Sequence, residues 1–272
     1  MPLCQTLPAA YVERWKTSEP QVITVIGSGG KTSLIWRLAQ QGRHRKTLVT
    51  TTTRMFFPPQ EAGLYDYLLD AHGVRHRSFQ PAPGISLAGI RDEVSGKYGA
   101  LSPDLLASLV SCFDQALIEG DGSRRLPLKA WAAYEPVIPA YTTLTIGILP
   151  LWPVGLPVSA DIIHRLSLFS ALTGAQAGEP LSLHHLVPVI TGNLKENNPG
   201  SKGLFSDARG KKILFLNQIE DAQGLEQAEQ LLSLIPAAFL RGLQGIIAGS
   251  VQQNRVSLLW EASVPSEGFQ GL

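Results

Sequence analysis

The chain has 272 residues, 44% hydrophobic and 17% charged, enough apolar content for one large α/β core or two modest ones. Lys+Arg (23) nearly balances Asp+Glu (22), which gives no electrostatic case for a nucleic-acid partner or an anionic membrane surface. The two cysteines, Cys4 and Cys112, form neither a disulfide framework nor a metal motif.

In chain order, Glu13, Arg14, Lys16 and Glu19 interrupt the N-terminal stretch, so no signal peptide is expected. Val22–Ile26 then reads as a buried strand, followed by Gly27-Ser28-Gly29-Gly30-Lys31-Thr32-Ser33, a glycine turn opening a helix. Phosphate binding asks for this arrangement: glycines point backbone N–H groups inward, a lysine reaches the outer phosphates and a hydroxyl holds Mg²⁺. Position 25 is Val25, so the shorter G-x-x-G-K-T form stands, similar to that of Mur ligases. Ile35, Leu38 and Ala39 share a helix face with Thr32.

Further strands are expected at Thr47–Thr50, Ala116–Ile118, Thr143–Leu149, Ile213–Leu216 and Gly245–Ala248. Residues 54–101 carry Pro58, Pro59, Pro81 and Pro83 with a strand-like piece at Ile85–Ile90, and read as an insertion or lid. Ser102-Pro103-Asp104 is a helix start with a capping serine, and Leu105, Leu106, Leu109, Val110 and Phe113 supply the apolar face. Cys112 on that helix reads as a buried free thiol. Residues 192–211 are expected to form a mobile loop, and a last helix runs from Leu225 to Ile235. Pro150, Pro153, Pro157 and Arg241 break the apolar stretches, so no membrane span is expected and the protein reads as cytoplasmic. The fold class is α/β: one P-loop NTPase-like domain over 1–272, with a doubly wound, mostly parallel sheet.

Partners for the glycine loop follow. Val49-Thr50-Thr51-Thr52-Thr53-Arg54 ends the second strand, where ligands sit in an open parallel sheet, and Thr51 or Thr52 is a candidate Mg²⁺ ligand with Thr32. Leu117-Ile118-Glu119-Gly120-Asp121-Gly122 ends another strand in two carboxylates, and Glu119 and Asp121 are hard oxygen ligands for the same ion. Asn217-Gln218-Ile219-Glu220 is similar to the Asn-Lys-x-Asp element with which GTPases read guanine, so Asn217 is a candidate contact to the base of ATP or GTP. His184-His185 lacks further ligands at metal spacing.

These blocks, together with Pro127-Leu128-Lys129-Ala130, Glu135-Pro136-Val137-Ile138-Pro139, His164-Arg165 and Leu216-Asn217-Gln218, resemble the selenium-dependent hydroxylase accessory protein family called YqeC. The resemblance runs from about residue 20 to 220. Gly120 stands where that family usually has alanine, and Trp131 and Tyr134 also depart from its pattern. It implies a nucleotide-dependent accessory factor in maturation of molybdenum hydroxylases, acting on a molybdenum cofactor or on a selenium-dependent hydroxylase apoenzyme. Two other readings stay open: a GTPase-like switch or cofactor-delivery chaperone, and a non-hydrolysing module that binds a phosphorylated cofactor. Lys129, with Arg124 and Arg125, is a candidate for holding an anionic substrate, and Glu135 for a general base or orienting carboxylate. His164 is a proton or hydrogen-bond donor candidate beside Arg165. All four, with Lys31, are expected in one pocket at the loop edge of the sheet.

Overall fold

The computed structural model describes residues 14–15, 20–69, 80–192 and 202–262. The expected strands form because short apolar runs are buried on both faces of a mostly parallel sheet. In chain order the strands are β1 (Gln21–Gly27), β2 (Lys46–Thr51), β3 (Arg54–Met55), β4 (Tyr67–Leu69), β5 (Gly84–Ala88), β6 (Ile90–Arg91) and β7 (Tyr98–Gly99). They continue with β8 (Gln115–Glu119), β9 (Leu128–Lys129), β10 (Leu144–Pro150), β11 (Ile163–His164), β12 (Lys211–Asn217), β13 (Gly245–Ser250) and β14 (Arg255–Glu261). The helices are α1 (Lys31–Gln41), α2 (Pro103–Val110), α3 (Leu166–Thr173), α4 (Leu183–Thr191), α5 (Ala222–Leu234) and α6 (Ala237–Leu240).

Nine strands form one sheet in the order β14-β13-β12-β10-β1-β8-β2-β5-β4. All neighbours are parallel except β14, which pairs antiparallel with β13. Alternate residues feed the two faces. Ile213 and Phe215 join Leu34, Ile35 and Leu38 of α1, whereas Leu214 and Leu216 join Leu186 of α4 and Leu225 of α5. Helices therefore cover both faces, and the fold is doubly wound. No described helix is long and apolar enough to cross a membrane.

Several expectations change. The segment 54–101 divides: β4 and β5 extend the main sheet beyond β2, and β3, β7 and β6 make a small antiparallel sheet. Residues 70–79 lie outside the described residues. Ser102 makes no side-chain cap bond, so proline at the first turn of α2 supplies the start signal. Cys112 is only half-buried, and its thiol reaches the Ser108 carbonyl at 3.6 Å. Of the loop expected at 192–211, residues 193–201 lie outside the described residues. Leu204 and Phe205, just beyond, are buried over Gly147, where a side chain on β10 would meet the Phe205 ring at 2.5 Å. Cys4 also lies outside the described residues.

Candidate functional site

The glycine loop leaves the carboxyl end of β1, flanked by β10 and β8. Gly27 has φ 102°, and a Cβ there would stand 2.2 Å from the Ile148 carbonyl oxygen of β10. Gly30 has φ 128°, and its Cβ would stand 2.4 Å from Asn217 Nδ2. Only glycine brings the backbone this close at these angles. The buried Ser28 donates its N–H to Ile148 O at 3.0 Å. Lys31 turns its ammonium back onto the loop, donating to Gly27 O at 2.6 Å and lying 3.3 Å from Asp121 Oδ1. Ser33, one turn into α1, is exposed. Asn217 is a strut: its Nδ2 donates to Gly29 O at 2.7 Å and its Oδ1 accepts from Val251 N–H at 3.0 Å. Both ends of the amide are engaged with protein.

Glu119 closes β8, which lies between β1 and β2. Thr32 Oγ1 donates to Glu119 Oε2 at 2.7 Å. Burial pushes the Glu119 carboxyl above its usual range, with Asp121 adding to the rise and Lys31, Thr32 and Lys129 opposing it. Asp121 has a different situation. Its fully buried carboxylate accepts from Gly27 N–H at 3.1 Å, Lys129 Nζ at 3.0 Å and Trp131 Nε1 at 2.7 Å. Asp121 ties the glycine loop to the chain that follows β8. Thr51 Oγ1 donates to the Glu119 carbonyl at 2.9 Å and Thr52 Oγ1 to the Val137 carbonyl at 2.6 Å. Backbone acceptors thus hold the two hydroxyls expected at the metal, and Thr53 is the threonine that faces the cleft.

Lys129 and His164, far apart in sequence, become register partners when β9 pairs with β11. Lys129 is fully buried and its ammonium donates to Asp121 Oδ2, Gly122 O (2.6 Å) and Glu135 Oε2 (2.9 Å). Those three acceptors use its three donors. Lys129 is therefore fully engaged with protein acceptors. Arg165 Nη1 donates to Glu135 Oε2 at 2.7 Å and to Ala130 O at 3.1 Å, while Nη2 reaches the Tyr134 hydroxyl at 3.3 Å. Burial pushes the Glu135 carboxyl up, but the Arg165 hydrogen bond and Lys129 outweigh it and hold the group down at about 2. Glu135 is then a poor general base near neutral pH and an orienting carboxylate. Burial first, then Arg165, Lys129 and Arg124, hold His164 down at about 4 against the pull of Glu135, so its imidazole is neutral at pH 7.

A cleft of about 1640 Å³ runs from Lys31, Thr32 and Glu119 to Glu135, His164 and Arg165. Its far wall is the small sheet, where Lys97 and Arg125 lie 4.8 Å and 5.0 Å from the ring centre of the exposed Phe56. Of the expected site residues, Gly29 to Ser33, Glu119, Glu135, His164 and Arg165 line the cleft, Lys129, Asp121 and Thr51 are buried, and Asn217 lines a separate cavity. Trp131 and Tyr134 had been singled out only as departures from a pattern, yet the first holds Asp121 and the second Arg165. His185 closes the start of α4, its Nδ1 accepting from the Ser182 N–H at 3.2 Å. Among the described residues no three His, Cys, Asp or Glu side chains group as a metal site.

A doubly wound, mostly parallel sheet with a lysine-bearing glycine loop between its central strand and first helix is an α/β fold of P-loop NTPase-like class. Within that class the chain belongs to the YqeC protein family, whose model matches residues 23–167, more than half of it. It is also 29% identical over 253 residues to the uncharacterized protein YqeC of Escherichia coli (strain K12), covering 90% of this chain and 93% of that protein. No solved structure matches.

Proposed function

We propose that this protein is a nucleotide-dependent accessory factor that binds ATP or GTP with Mg²⁺ and, as the family resemblance implies, serves maturation of selenium-dependent molybdenum hydroxylases. The observation that carries the nucleotide reading is the Thr32–Glu119 pair at 2.7 Å beside Lys31. A hydroxyl and a desolvated carboxylate are oxygen donors suited to Mg²⁺, which takes few protein ligands and completes its shell with water and phosphate. The glycine cradle fits phosphate, since side chains at Gly27 or Gly30 would collide with β10 or Asn217. In this reading Lys31 leaves Gly27 O for the outer phosphates, the loop amides orient them, and Thr32 and Glu119 hold the ion. Mg²⁺, when bound, neutralises charge on the phosphate oxygens. His164, neutral at pH 7 and a weak base there, offers a hydrogen bond at the cleft wall. The second ligand, a molybdenum cofactor or part of an apoenzyme, would enter the cleft between Arg124, Arg125 and the small sheet.

One observation also favours a switch. Lys31, Asp121, Lys129, Glu135 and Arg165 form a continuous chain of charge contacts, each 3.3 Å or shorter, from the glycine loop to the Arg165 end of the cleft. Moving Lys31 onto a phosphate removes one cation from Asp121 and is felt along that chain. Calorimetric titration of the wild type and Lys31→Ala with ATP and GTP, with and without Mg²⁺, tests the shared premise. Mg²⁺-dependent binding lost in the variant is expected, and equal affinity in the two proteins sinks it. Phosphate release with and without the second ligand then separates enzyme from switch.

A further inference from the structure

Trp131 stands two residues after β9, and its side chain is 2% exposed. It belongs to the buried cluster that also holds Ile26, Phe169 and Leu204, so close packing fixes the plane of the indole. From that plane Nε1 donates to Asp121 Oδ2 at 2.7 Å. This is shorter than the approaches of Gly27 N–H (3.1 Å), Lys129 Nζ (3.0 Å) and Lys31 Nζ (3.3 Å) to the same carboxylate. The donors differ in how firmly they hold a direction. Lys31 is the group that leaves for phosphate, and Lys129 shares its ammonium with Gly122 O and Glu135. An indole offers a single N–H in the ring plane, so a ring locked in the core aims one bond at one oxygen.

We propose that Trp131 is a positioning residue for the glycine loop, acting through Asp121. Its hydrogen bond keeps the carboxylate, and with it the Gly27 amide, in place while Lys31 is engaged with the phosphates. The proposal rests on the nucleotide reading above and adds a residue that never touches the ligand. Once Lys31 has moved, Asp121 has lost one cation and depends more on its remaining donors. The Trp131 bond therefore counts for more in the ligand-bound state than in the free protein. That difference couples a core tryptophan to affinity, beyond any part it has in folding.

The test removes the N–H and keeps an aromatic ring. Trp131→Phe, and a protein carrying benzothienylalanine at position 131, with sulfur in place of the indole N–H, are titrated with ATP and inorganic tripolyphosphate in Mg²⁺. Both proteins are expected to bind both probes about tenfold more weakly than the wild type, as for the loss of a hydrogen bond to a charged group. A second readout follows the indole N–H by nuclear magnetic resonance. Of the five tryptophans, Trp131 is the one whose indole signal disappears in Trp131→Phe. That signal should move when tripolyphosphate binds the wild type. Ligand-free Lys31→Ala should show it displaced in the same direction, because both changes take the Lys31 ammonium from Asp121. Wild-type affinity in the benzothienylalanine protein, or an indole signal that stays in place at saturation, overturns the inference and leaves the nucleotide reading standing. A wild type that binds neither probe removes the nucleotide reading, and the inference with it.

Discussion

Lys129 Nζ lies 3.0 Å from Asp121 Oδ2 with neither side chain open to solvent. The pair is the keystone of the site because each member reaches a different wall. Asp121 grips the Gly27 amide and the Trp131 indole, and Lys129 grips Glu135, which in turn holds Arg165. Removing the ammonium leaves a buried carboxylate with less compensation. Lys129→Met is therefore expected to cost about 3–5 kcal/mol in urea unfolding, the range for breaking a buried pair on one side. A loss below about 1 kcal/mol, as for a surface pair, would show that the carboxylates are compensated in another way.

The two carboxylates at the end of β8, Glu119 and Asp121, should separate by phenotype. Glu119→Gln removes a charge that burial disfavours, so stability is expected to hold or rise at neutral pH. The sign follows from the raised carboxyl: the folded state prefers the neutral form, and stability is lost as pH rises through the folded pKa. Mg²⁺-dependent nucleotide binding should fall in the same variant. Asp121→Asn should do the reverse first, lowering the unfolding midpoint because it removes the charge facing Lys129 and Lys31. Thermal melts and Mg²⁺ titrations on the two variants would separate the roles, and identical profiles would refute the division.

Much of this architecture was legible in the residues. β1, β8, β10, β12 and β13 are built on short, mostly apolar runs and β2 on Leu48-Val49 among threonines, the pattern that burial on both faces produces. β5 read as a strand, but its place beside β2 depends on pairing across a segment rich in proline. β14 has no strict alternation and is found only as the return strand of a hairpin, after Asn254 turns with φ 55°. At the site, the sequence placed Thr32 at a strand-to-helix join and Glu119 at a strand end, and the fold brings the two side chains together. What was hidden is which polar atoms are already engaged. Thr51 and Thr52 bond backbone carbonyls, Asp121 bonds Trp131, and Lys129 is covered, all through contacts that only the tertiary fold brings together.

Acid should weaken the fold in two windows. The His164 imidazole is held down at about 4 from its ordinary 6.5. The unfolded chain takes up that proton first, so stability declines as pH falls from about 6.5 toward 4. The Glu135 carboxyl is held at about 2 from its ordinary 4.5. Its contribution is present above about 4.5 and is lost as pH falls toward 2. Urea midpoints measured against pH should flatten in the upper window for His164→Gln and in the lower window for Glu135→Gln. If both variants keep the wild-type slope, neither group carries the acid dependence.

Asn217 gives the sharpest choice between two roles. As a base reader it would discriminate among nucleotides, and its loss would leave phosphate binding alone. As the strut seen here, it fastens the glycine loop to β12 and the start of the loop after β13 through Gly29 O and Val251 N–H. Asn217→Ala leaves the Val251 amide without its acceptor, a cost of about 1–3 kcal/mol for a buried donor. It also frees the loop whose amides must converge on phosphate. Affinity for ATP, GTP and tripolyphosphate should therefore fall by the same factor in Asn217→Ala, together with the unfolding midpoint. Asn217→Asp, which keeps an acceptor for Val251 but replaces the donor to Gly29 with an oxygen, should retain more stability than Asn217→Ala and still lose binding of all three. A variant that loses one nucleotide and keeps tripolyphosphate would return Asn217 to the base.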